Sequence, residues 1–300
     1  MSKKCHVCYT DSNFLLTKDD FDLYVCPSCK LVFVHPQPAP DFLAQKYYSF
    51  ESGYMSNRAR QDLSQDKEQD RVKYVFDTFQ KYKKNGLMLD VGCGNGQMLY
   101  WAQKRGIAGK GVEINKRTAD RAKEYGFDVW NGFLETAPFE KHSFDFVFLG
   151  EIIEHVNDPR TFIDQSSAFL KSDGMIGITT PNIDCPWSKT NFILYKMFGI
   201  PWSSVTPPYH LFQFNPDNLD RLMKDMGFDF VGGHFFRIPP LKYELGMLHL
   251  LKRYKKTRSL KDFVYMLFAY GVYTVNHTIF RILHYVFKKD FQMVRVYKKT

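Results

Sequence analysis

Four cysteines near the N-terminus have the spacing of a metal site. They form two Cys-x-x-Cys pairs separated by seventeen residues. Each pair is a tight turn that can aim two thiolates at one ion, and four thiolates complete a closed tetrahedral Zn²⁺ shell. Such a short segment has little core of its own, so the metal would supply much of its folding free energy. We therefore predict a structural zinc ribbon over residues 1–40, with ligands Cys5, Cys8, Cys26 and Cys29.

A glycine-rich loop follows the apolar run at 87–91 and precedes a helix-compatible stretch. The loop contains Gly92, Gly94 and Gly96, in the pattern G-x-G-x-G and not the G-x-G-x-x-G of dinucleotide folds. Because glycine has no Cβ, backbone N–H groups and the helix N-terminus can approach a ligand closely. Glu113, at the end of the next expected strand, is well placed to accept hydrogen bonds from ribose hydroxyls. The loop predicts a site for a small polar ligand.

A third group of reactive side chains is Glu151, Glu154 and His155, after the apolar run at 144–149. We expect a helix to begin here, which would place positions i, i+3 and i+4 on one face beside the carboxyl edge of the sheet. His210, in a later proline-containing loop, is a further candidate ligand. Two carboxylates and imidazole nitrogens suit a divalent ion such as Mg²⁺. The alternative is that the Glu and His cap and pair, leaving His155 or His210 as a general base.

The elements that must position these groups alternate between strand and helix from residue 87 onward. This alternation predicts an α/β fold with a parallel sheet covered on both faces. The expected strands are 87–91, 109–114, 127–130, 144–149, 175–180, 228–236 and 292–297, and the expected helices are 97–105, 159–170 and 219–226. Before them, apolar residues Val72, Val75, Phe76 and Phe79 have the spacing of a packed helix within residues 56–84. We assign 41–84 to a helical linker that would cover a cofactor bound at the glycine-rich loop, and 85–300 to the main domain.

Basic residues are concentrated at the C-terminal end of the chain. The formal net charge is +9, yet residues 241–300 hold 13 Lys or Arg against 3 Asp or Glu. An insertion at about 240–289 combines these charges with an apolar helical stripe, formed by Val264, Phe268, Val272, Val275, Ile279, Leu283 and Val286. It could lie on an anionic membrane surface, form a lid over the substrate, or pack on the core. No apolar run follows the first two lysines, so we expect no secretory signal and a cytoplasmic chain, with peripheral contact at the inner membrane face as an extension.

Four sequence blocks occur in order along the chain: LDVGCGNG at 89–96, GVEIN at 111–115, FDFVFLGEIIEHV at 144–156 and LKSDGMIGITTPN at 170–182. Through these blocks the sequence strongly resembles the class I S-adenosylmethionine-dependent methyltransferases. With its leading zinc-binding segment, the plan looks like bacterial methyltransferases of polysaccharide and natural-product pathways. The resemblance implies a Rossmann-like sheet of seven strands whose last strand, at 292–297, runs antiparallel.

The resemblance also implies how the cofactor S-adenosylmethionine would be held. The methionine part would be surrounded by Asp90, Gly92, Gly94 and Gly96, and Glu113 would hold the ribose hydroxyls. Asn131, Gly132 and Phe133 follow the third strand, where the adenine contacts of the family lie. This last position departs from the commoner Gly-Asp pattern.

The E-x-x-E-H run with a later His resembles the ubiquinone-pathway O-methyltransferases and the plant small-RNA 2′-O-methyltransferase, whose equivalent residues bind Mg²⁺. We therefore expect a methyltransferase, O-directed and metal-assisted, that acts on a hydroxylated small molecule, a sugar or a lipid-linked saccharide. Two alternatives are an RNA ribose 2′-O-methyltransferase, which we favour less, and a zinc-ribbon binding protein with a vestigial methyltransferase fold.

Overall fold

A computed structural model describes residues 3–39, 62–63, 68–237, 251, 254–283, 286 and 289–300. Over these residues the strands are β1 (Lys3–Lys4), β2 (Asp11–Lys18), β3 (Phe21–Val25), β4 (Val32–Val34), β5 (Leu87–Val91), β6 (Ala108–Glu113), β7 (Asp128–Asn131), β8 (Phe144–Gly150), β9 (Leu170–Pro181), β10 (Phe212–Gln213), β11 (Phe228–Phe236) and β12 (Gln292–Lys299). The helices include α1 (Asp70–Tyr82), α2 (Gln97–Lys104), α3 (Lys116–Glu124), α4 (Pro159–Ser167), α5 (Pro186–Phe198), α6 (Pro216–Asp225) and α7 (Leu260–Leu283).

The main sheet has seven strands in the order β11-β12-β9-β8-β5-β6-β7. Strands β5 to β9 pair in parallel, and β12 runs antiparallel between β11 and β9. The predicted Rossmann-like sheet with an antiparallel last strand is confirmed. Its parallel strands bring the loops after β5, β6, β7 and β8 to one edge, where ligands of open α/β sheets bind.

A smaller antiparallel sheet is formed by the N-terminal strands, in the order β1-β2-β3-β4-β10. Its last strand comes from a distant part of the chain, because Phe212 pairs with Phe33 and Gln213 with Val32. The backbone N–H of Val34 also donates to the carbonyl of Leu211 at 2.9 Å. The cysteine-bearing segment is therefore attached to the loop that follows His210.

Helix α1 covers the main sheet with the apolar residues that the sequence singled out. Val75, Phe76 and Phe79 are fully buried, and the ring of Phe79 stacks on Phe146 with centroids 4.5 Å apart. The predicted helix within 56–84 is shorter over the described part, since α1 begins at Asp70. Residues 40–61 and 64–67, which hold most of the predicted linker, lie outside the described residues.

Helix α7 lies in the predicted insertion and packs on α5. Trp187 of α5 contacts the rings of Tyr273 and His277, both buried. Residues 238–250 of the insertion lie outside the described residues. Within the described part of the chain, no helix has both the length and the apolar character needed to cross a membrane.

Candidate active site

The loop after β5 is a glycine turn that leads directly into α2. Gly92, Gly94 and Gly96 have φ angles of 73°, 55° and 87°, values that residues with a Cβ rarely adopt. Gly96 immediately precedes α2, whose first backbone N–H groups lack partners within the helix. Asp90 is buried just before the loop, and an added Cβ at Gly92 would lie 3.0 Å from Ile152 Cδ1. The loop therefore touches the segment that follows β8.

Glu113, at the end of β6, holds this loop in place. Its Oε2 accepts a hydrogen bond from the backbone N–H of Gly94 at 2.8 Å, and its Oε1 accepts one from Asn115 at 2.7 Å. The side chain is only 5% exposed. One carboxylate thus joins the loops after β5 and β6, a role that the sequence analysis did not assign to it. Charge-assisted hydrogen bonds of this kind are among the stronger ones in proteins.

The loop after β7 is hydrogen-bonded to the backbone at the end of β6. The Asn131 side chain donates to the carbonyls of Glu113 at 2.9 Å and Ile114 at 3.1 Å, and the Gly132 N–H donates to Glu113 O at 3.1 Å. The Phe133 ring is 60% exposed. The residues predicted to hold the cofactor are therefore brought together along one edge of the sheet. Their individual roles toward the cofactor stay predictions.

The expected helix at Glu151–His155 is wrong. Glu151 has φ of 54°, a left-handed conformation that interrupts a helix, and a turn follows over 153–155. The helix begins instead at Pro159, where the Asp158 side chain accepts a hydrogen bond from Arg160 N. An N-cap Asp followed by Pro at the first helical position is a strong helix-start signal. The shared helical face that we expected for the two carboxylates is therefore absent.

The turn nevertheless brings three of the four predicted metal ligands together. Ligand atoms of Glu154, His155 and His210 all lie within 4.8 Å of one another. Glu151 is not part of this group, and its Oε1 lies 3.6 Å from Nη1 of Arg71. The sequence analysis grouped all four residues because its spacing argument assumed a helix, and the structure brings three of them together. Their role as metal ligands stays a prediction.

Backbone contacts explain how His210 reaches the turn. The carbonyl of Glu154 accepts hydrogen bonds from the N–H groups of Leu211 at 2.7 Å and Phe212 at 3.2 Å. These bonds place the His155 and His210 rings edge to face, with centroids 4.9 Å apart. Because β10 begins at Phe212 and pairs with β4, the N-terminal sheet helps to fix the position of His210.

Neighbouring groups orient the cluster. His155 Nδ1 donates to the carbonyl of Tyr209 at 2.7 Å, and its Nε2 lies 3.8 Å from Glu154 Oε1. This is the arrangement by which proteins orient a metal-ligating histidine. Thr180 Oγ1 donates to Glu154 Oε2 at 2.9 Å. Among the described residues, Glu154 Oε1 and His210 Nδ1 are buried and have no hydrogen-bond partner. Unpaired buried polar atoms are costly, and a bound cation would satisfy them.

The protonation states of the cluster follow from its burial. Burial and the nearby Glu151 carboxylate raise the pKa of the Glu154 carboxyl well above its usual range. Burial and the neighbouring His155 lower the pKa of the His210 imidazole well below its usual range, so this ring is neutral near pH 7. A neutral imidazole has the free lone pair that a metal ligand or a general base needs.

The donor set fits a divalent ion. One carboxylate oxygen and two imidazole nitrogens are typical ligands of transition ions such as Mn²⁺, Fe²⁺ or Zn²⁺, whereas Mg²⁺ prefers oxygen ligands. Water or oxygens of a bound molecule would complete the coordination shell of the ion. Mg²⁺ at this site therefore stays a prediction. The two nitrogen ligands make Mn²⁺, Fe²⁺ and Zn²⁺ candidates as well.

The four N-terminal cysteines also meet. Cys5 Sγ lies 3.5 Å from Cys29 Sγ, and Cys8 Sγ lies 3.4 Å from Cys26 Sγ, with all four sulfurs within 4.8 Å of one another. A tetrahedral ion with Zn–S bonds of about 2.3 Å separates its sulfurs by about 3.8 Å. The four thiols are therefore suitably arranged for the predicted Zn²⁺.

Three residues of the site were missed by the sequence analysis. They are Tyr209, Thr180 and Arg71, which contact His155, Glu154 and Glu151 respectively. Tyr209 acts through its backbone carbonyl, which leaves no signal in the residue type. Thr180 lies in the fourth sequence block, and Arg71 lies in the first turn of α1, so only the fold places them beside the cluster.

Comparison with known proteins agrees with this fold and site. Residues 60–231 match the family described as "Methyltransferase domain". The ubiquinone biosynthesis O-methyltransferase of Pelagibacter ubique is 33% identical over 105 residues, which are 33% of this chain and 43% of that protein. The same enzyme of Neisseria meningitidis (strain Z2491) is 32% identical over 104 residues, which are 32% and 44%. The chain thus matches less than half the length of these curated relatives.

Two solved structures share the fold at low identity. The 1,6-didemethyltoxoflavin-N1-methyltransferase of Burkholderia thailandensis, solved with S-adenosylhomocysteine, has a TM-score of 0.52 and 14% identity over 96% of this chain and 99% of that one. Phosphoethanolamine N-methyltransferase 2 of Haemonchus contortus, solved with S-adenosyl-L-methionine, has a TM-score of 0.51 and 17% identity over 89% and 61%. Since the family match spans more than half of the sequence, the chain belongs to the methyltransferase-domain family, that is, to the class I S-adenosylmethionine-dependent methyltransferases.

Proposed function

We propose that this chain transfers the methyl group of S-adenosylmethionine to a hydroxyl oxygen of a small molecule, assisted by a divalent ion. The observation that carries this proposal is the cluster of Glu154, His155 and His210 next to the glycine loop. Ile152, two residues before Glu154, contacts Gly92 of the loop that we expect to hold the methionine part of the cofactor. Acceptor and methyl donor would therefore meet between these two segments.

The cluster residues would bind the ion, and two neighbouring residues orient the cluster side chains. Glu154, His155 and His210 would hold the ion, and Tyr209 and Thr180 fix the side chains of His155 and Glu154. A divalent ion held by these residues would supply Lewis acidity and so would lower the pKa of an acceptor hydroxyl. Holding the oxygen in line with the sulfonium methyl accounts for much of the remaining acceleration.

The acceptor is the finer part of the proposal. Oxygen acceptors are favoured because the curated relatives that match are O-methyltransferases of ubiquinone biosynthesis, although only about a third of this chain aligns with them. We propose a hydroxylated small molecule, a sugar or a lipid-linked saccharide. The vestigial alternative is disfavoured, because the loop keeps its left-handed glycines and Glu113 still accepts a hydrogen bond from the Gly94 N–H.

The test combines cofactor binding with methyl transfer. Calorimetry should detect S-adenosylmethionine binding to the purified chain; undetectable binding would support the vestigial alternative. Transfer of labelled methyl groups to fractionated host lysate should then label a small-molecule, saccharide or lipid fraction. Labelling confined to RNA would support the ribose 2′-O-methyltransferase instead. A product methylated on nitrogen or carbon would contradict the O-directed reaction.

We also propose that Cys5, Cys8, Cys26 and Cys29 hold one structural Zn²⁺. Protein purified without chelators should contain about one zinc per chain by elemental analysis. Cys26→Ser should lose most of this zinc and lower the unfolding temperature, because the segment between the pairs depends on the metal for its folding free energy. Cys185→Ala removes a buried thiol outside the cluster and should keep the zinc. Zinc-free wild-type protein would contradict the assignment.

A further inference from the structure

Helix α7 directs several polar side chains toward the protein and many apolar side chains toward the outside, which is unusual for a surface helix. The residues that it buries or directs into the protein include hydrogen-bonding side chains, whereas most of its exposed side chains are apolar, with Lys261, Tyr270 and Thr278 as the polar exceptions. The exposed apolar residues are Leu260 (76%), Val264 (58%), Leu267 (54%), Phe268 (48%), Val275 (59%), Ile279 (45%) and Ile282 (66%). Helices at a protein surface normally present polar residues to water, so this face differs from an ordinary solvated surface.

The inner face of α7 is fixed by specific polar contacts. The Tyr273 hydroxyl lies 2.6 Å from Ser203 Oγ, and Asn276 Nδ2 donates to Asn191 Oδ1 of α5 at 3.0 Å. The Tyr265 hydroxyl donates to the Phe198 carbonyl at 3.0 Å. These contacts fix the rotation of the helix about its axis. The same side of α7 also packs Ala269, Met266 and Val272 into the apolar cluster around Trp187. The remaining apolar residues therefore point away from the protein.

The exposed apolar surface extends onto α5. Phe198, at the end of α5, is 45% exposed, and its ring contacts Phe268 with centroids 6.0 Å apart. Ile193 and Met197 of the same helix are 55% and 66% exposed. We call the exposed apolar residues of α5 and α7 together the α5–α7 face. Contiguous exposed apolar surface of this kind marks a contact with another apolar phase or molecule.

Charge distinguishes between the occupants that such a face could have. No Asp, Glu, Lys or Arg occurs at 263–280, yet residues 251–289 contain nine Lys or Arg and a single Asp. The described basic side chains include Lys255, Lys256, Arg258 and Lys261 before the apolar span and Arg281 after it. A second copy of this chain would bring two such basic edges together. An anionic bilayer instead fits both the apolar span and the basic residues that flank it. The acyl chains would contact the apolar residues, and the headgroup phosphates would attract the cations.

We propose that the α5–α7 face docks on an anionic lipid bilayer, with α7 lying in the plane of the interface. Its inner face keeps its contacts with α5, and its outer face enters the boundary between headgroups and acyl chains. This inference does not depend on the proposed methyl acceptor, since binding to lipid requires no turnover. If the acceptor is lipid-linked, docking would also bring the enzyme to the surface that holds it.

The experiment measures binding of the full chain to vesicles by co-sedimentation. Phosphatidylcholine vesicles that contain phosphatidylglycerol should bind the chain, pure phosphatidylcholine should bind it much less, and raised salt should weaken the binding. Leu267→Asp combined with Val275→Asp should weaken it at least about tenfold, because two apolar contacts with the bilayer are lost. Lys255→Glu combined with Lys256→Glu should reduce binding to anionic vesicles by a similar factor.

The matched control is Phe14→Asp, which alters an exposed aromatic (56%) on strand β2, outside the α5–α7 face, and should leave vesicle binding unchanged. The unfolding temperature and S-adenosylmethionine affinity should stay close to wild type in every variant, since all the substituted side chains are exposed. Absence of vesicle binding, or equal binding to neutral and anionic vesicles, would overturn the proposal. So would self-association of the chain that the Leu267→Asp and Val275→Asp pair abolishes, because it would identify a second copy as the occupant.

Discussion

Glu113→Ala should weaken S-adenosylmethionine binding by about two to three orders of magnitude. The carboxylate accepts hydrogen bonds from the backbone of Gly94 and Asn115, and its loss leaves two buried N–H groups unpaired and the glycine loop without its support. Hydrogen bonds to a charged group contribute about 1.5–3 kcal/mol each, and the expected ribose contact is lost with them. Calorimetry on the purified variant measures the effect directly.

Two companion variants separate the causes. Glu113→Gln keeps one acceptor oxygen and should fall between wild type and Glu113→Ala. Glu124→Ala changes an exposed carboxylate on α3, where it pairs with Arg121, and should leave the affinity unchanged. Gly94→Arg should also impair binding, since Gly94 has a left-handed φ of 55° and its N–H faces Glu113. Unchanged affinity in both Glu113→Ala and Gly94→Arg would show that the cofactor binds elsewhere.

Most of the main sheet could be predicted because local sequence and tertiary packing agree there. Leu87–Val91 and Phe228–Phe236 have the bounds that their apolar runs predict. The glycine loop and Glu113 were also found, because a left-handed turn requires glycine and an edge carboxylate at a strand end is a recognisable signal. Strand β9 was underestimated, since its first residues, beginning at Leu170, include a lysine, a serine and an aspartate.

The failure at 151–155 shows what spacing alone leaves undetermined. The E-x-x-E-H run has the period of a helix, but Glu151 has a left-handed φ of 54° and a turn follows, with Ile153 buried and Ile152 beside Gly92. The pairing of β10 with β4 then delivers His210 to that turn. Such a long-range pairing has no local signature, so the sequence could suggest the ligands but not the way they meet.

The stripe in the insertion illustrates a different limit. Periodicity predicts that Val264, Phe268 and Val275 share a side of one helix, and the structure agrees that they do. It does not say whether that side faces the core or the outside, since both arrangements have the same period. Here the hydrogen bonds of Tyr265 and Asn276 to α5 decide the question, and those partners lie far away in the sequence.

Removing the ligands of the Glu154 cluster should abolish metal binding and depress turnover while leaving cofactor affinity nearly unchanged. Lewis-acid activation of an oxygen contributes several kcal/mol, so His155→Ala, His210→Ala or Glu154→Gln should each lower kcat by at least about a hundredfold. Because the three residues act as one unit, double variants should fall little below the single ones. His142→Ala changes an exposed histidine elsewhere and serves as the matched control.

Metal binding can be measured without a known acceptor. When Mn²⁺ is titrated into wild-type protein, its free-ion electron paramagnetic resonance signal should fall in proportion to the protein concentration, whereas the three variants should leave that signal intact.

The role of the metal in turnover needs an activity assay. A mild chelator should stop methyl transfer without unfolding the chain, and added Mn²⁺ or Mg²⁺ should restore it. Full activity after divalent ions are demonstrably removed would defeat the metal hypothesis and leave His155 or His210 as a general base.

Stability distinguishes a metal site from a structural role for Glu154. The carboxylate is 1% exposed, and its Oε1 has no hydrogen-bond partner among the described residues, while Oε2 accepts from Thr180. Glutamine keeps an oxygen that can accept from Thr180, and it is uncharged, as is the Glu154 carboxyl whose pKa burial raises well above its usual range. Metal-free Glu154→Gln should therefore unfold at the same temperature as metal-free wild type or a higher one, and Mn²⁺ should stabilise only the wild type. A marked loss of stability in the metal-free variant would instead indicate that Glu154 serves the fold.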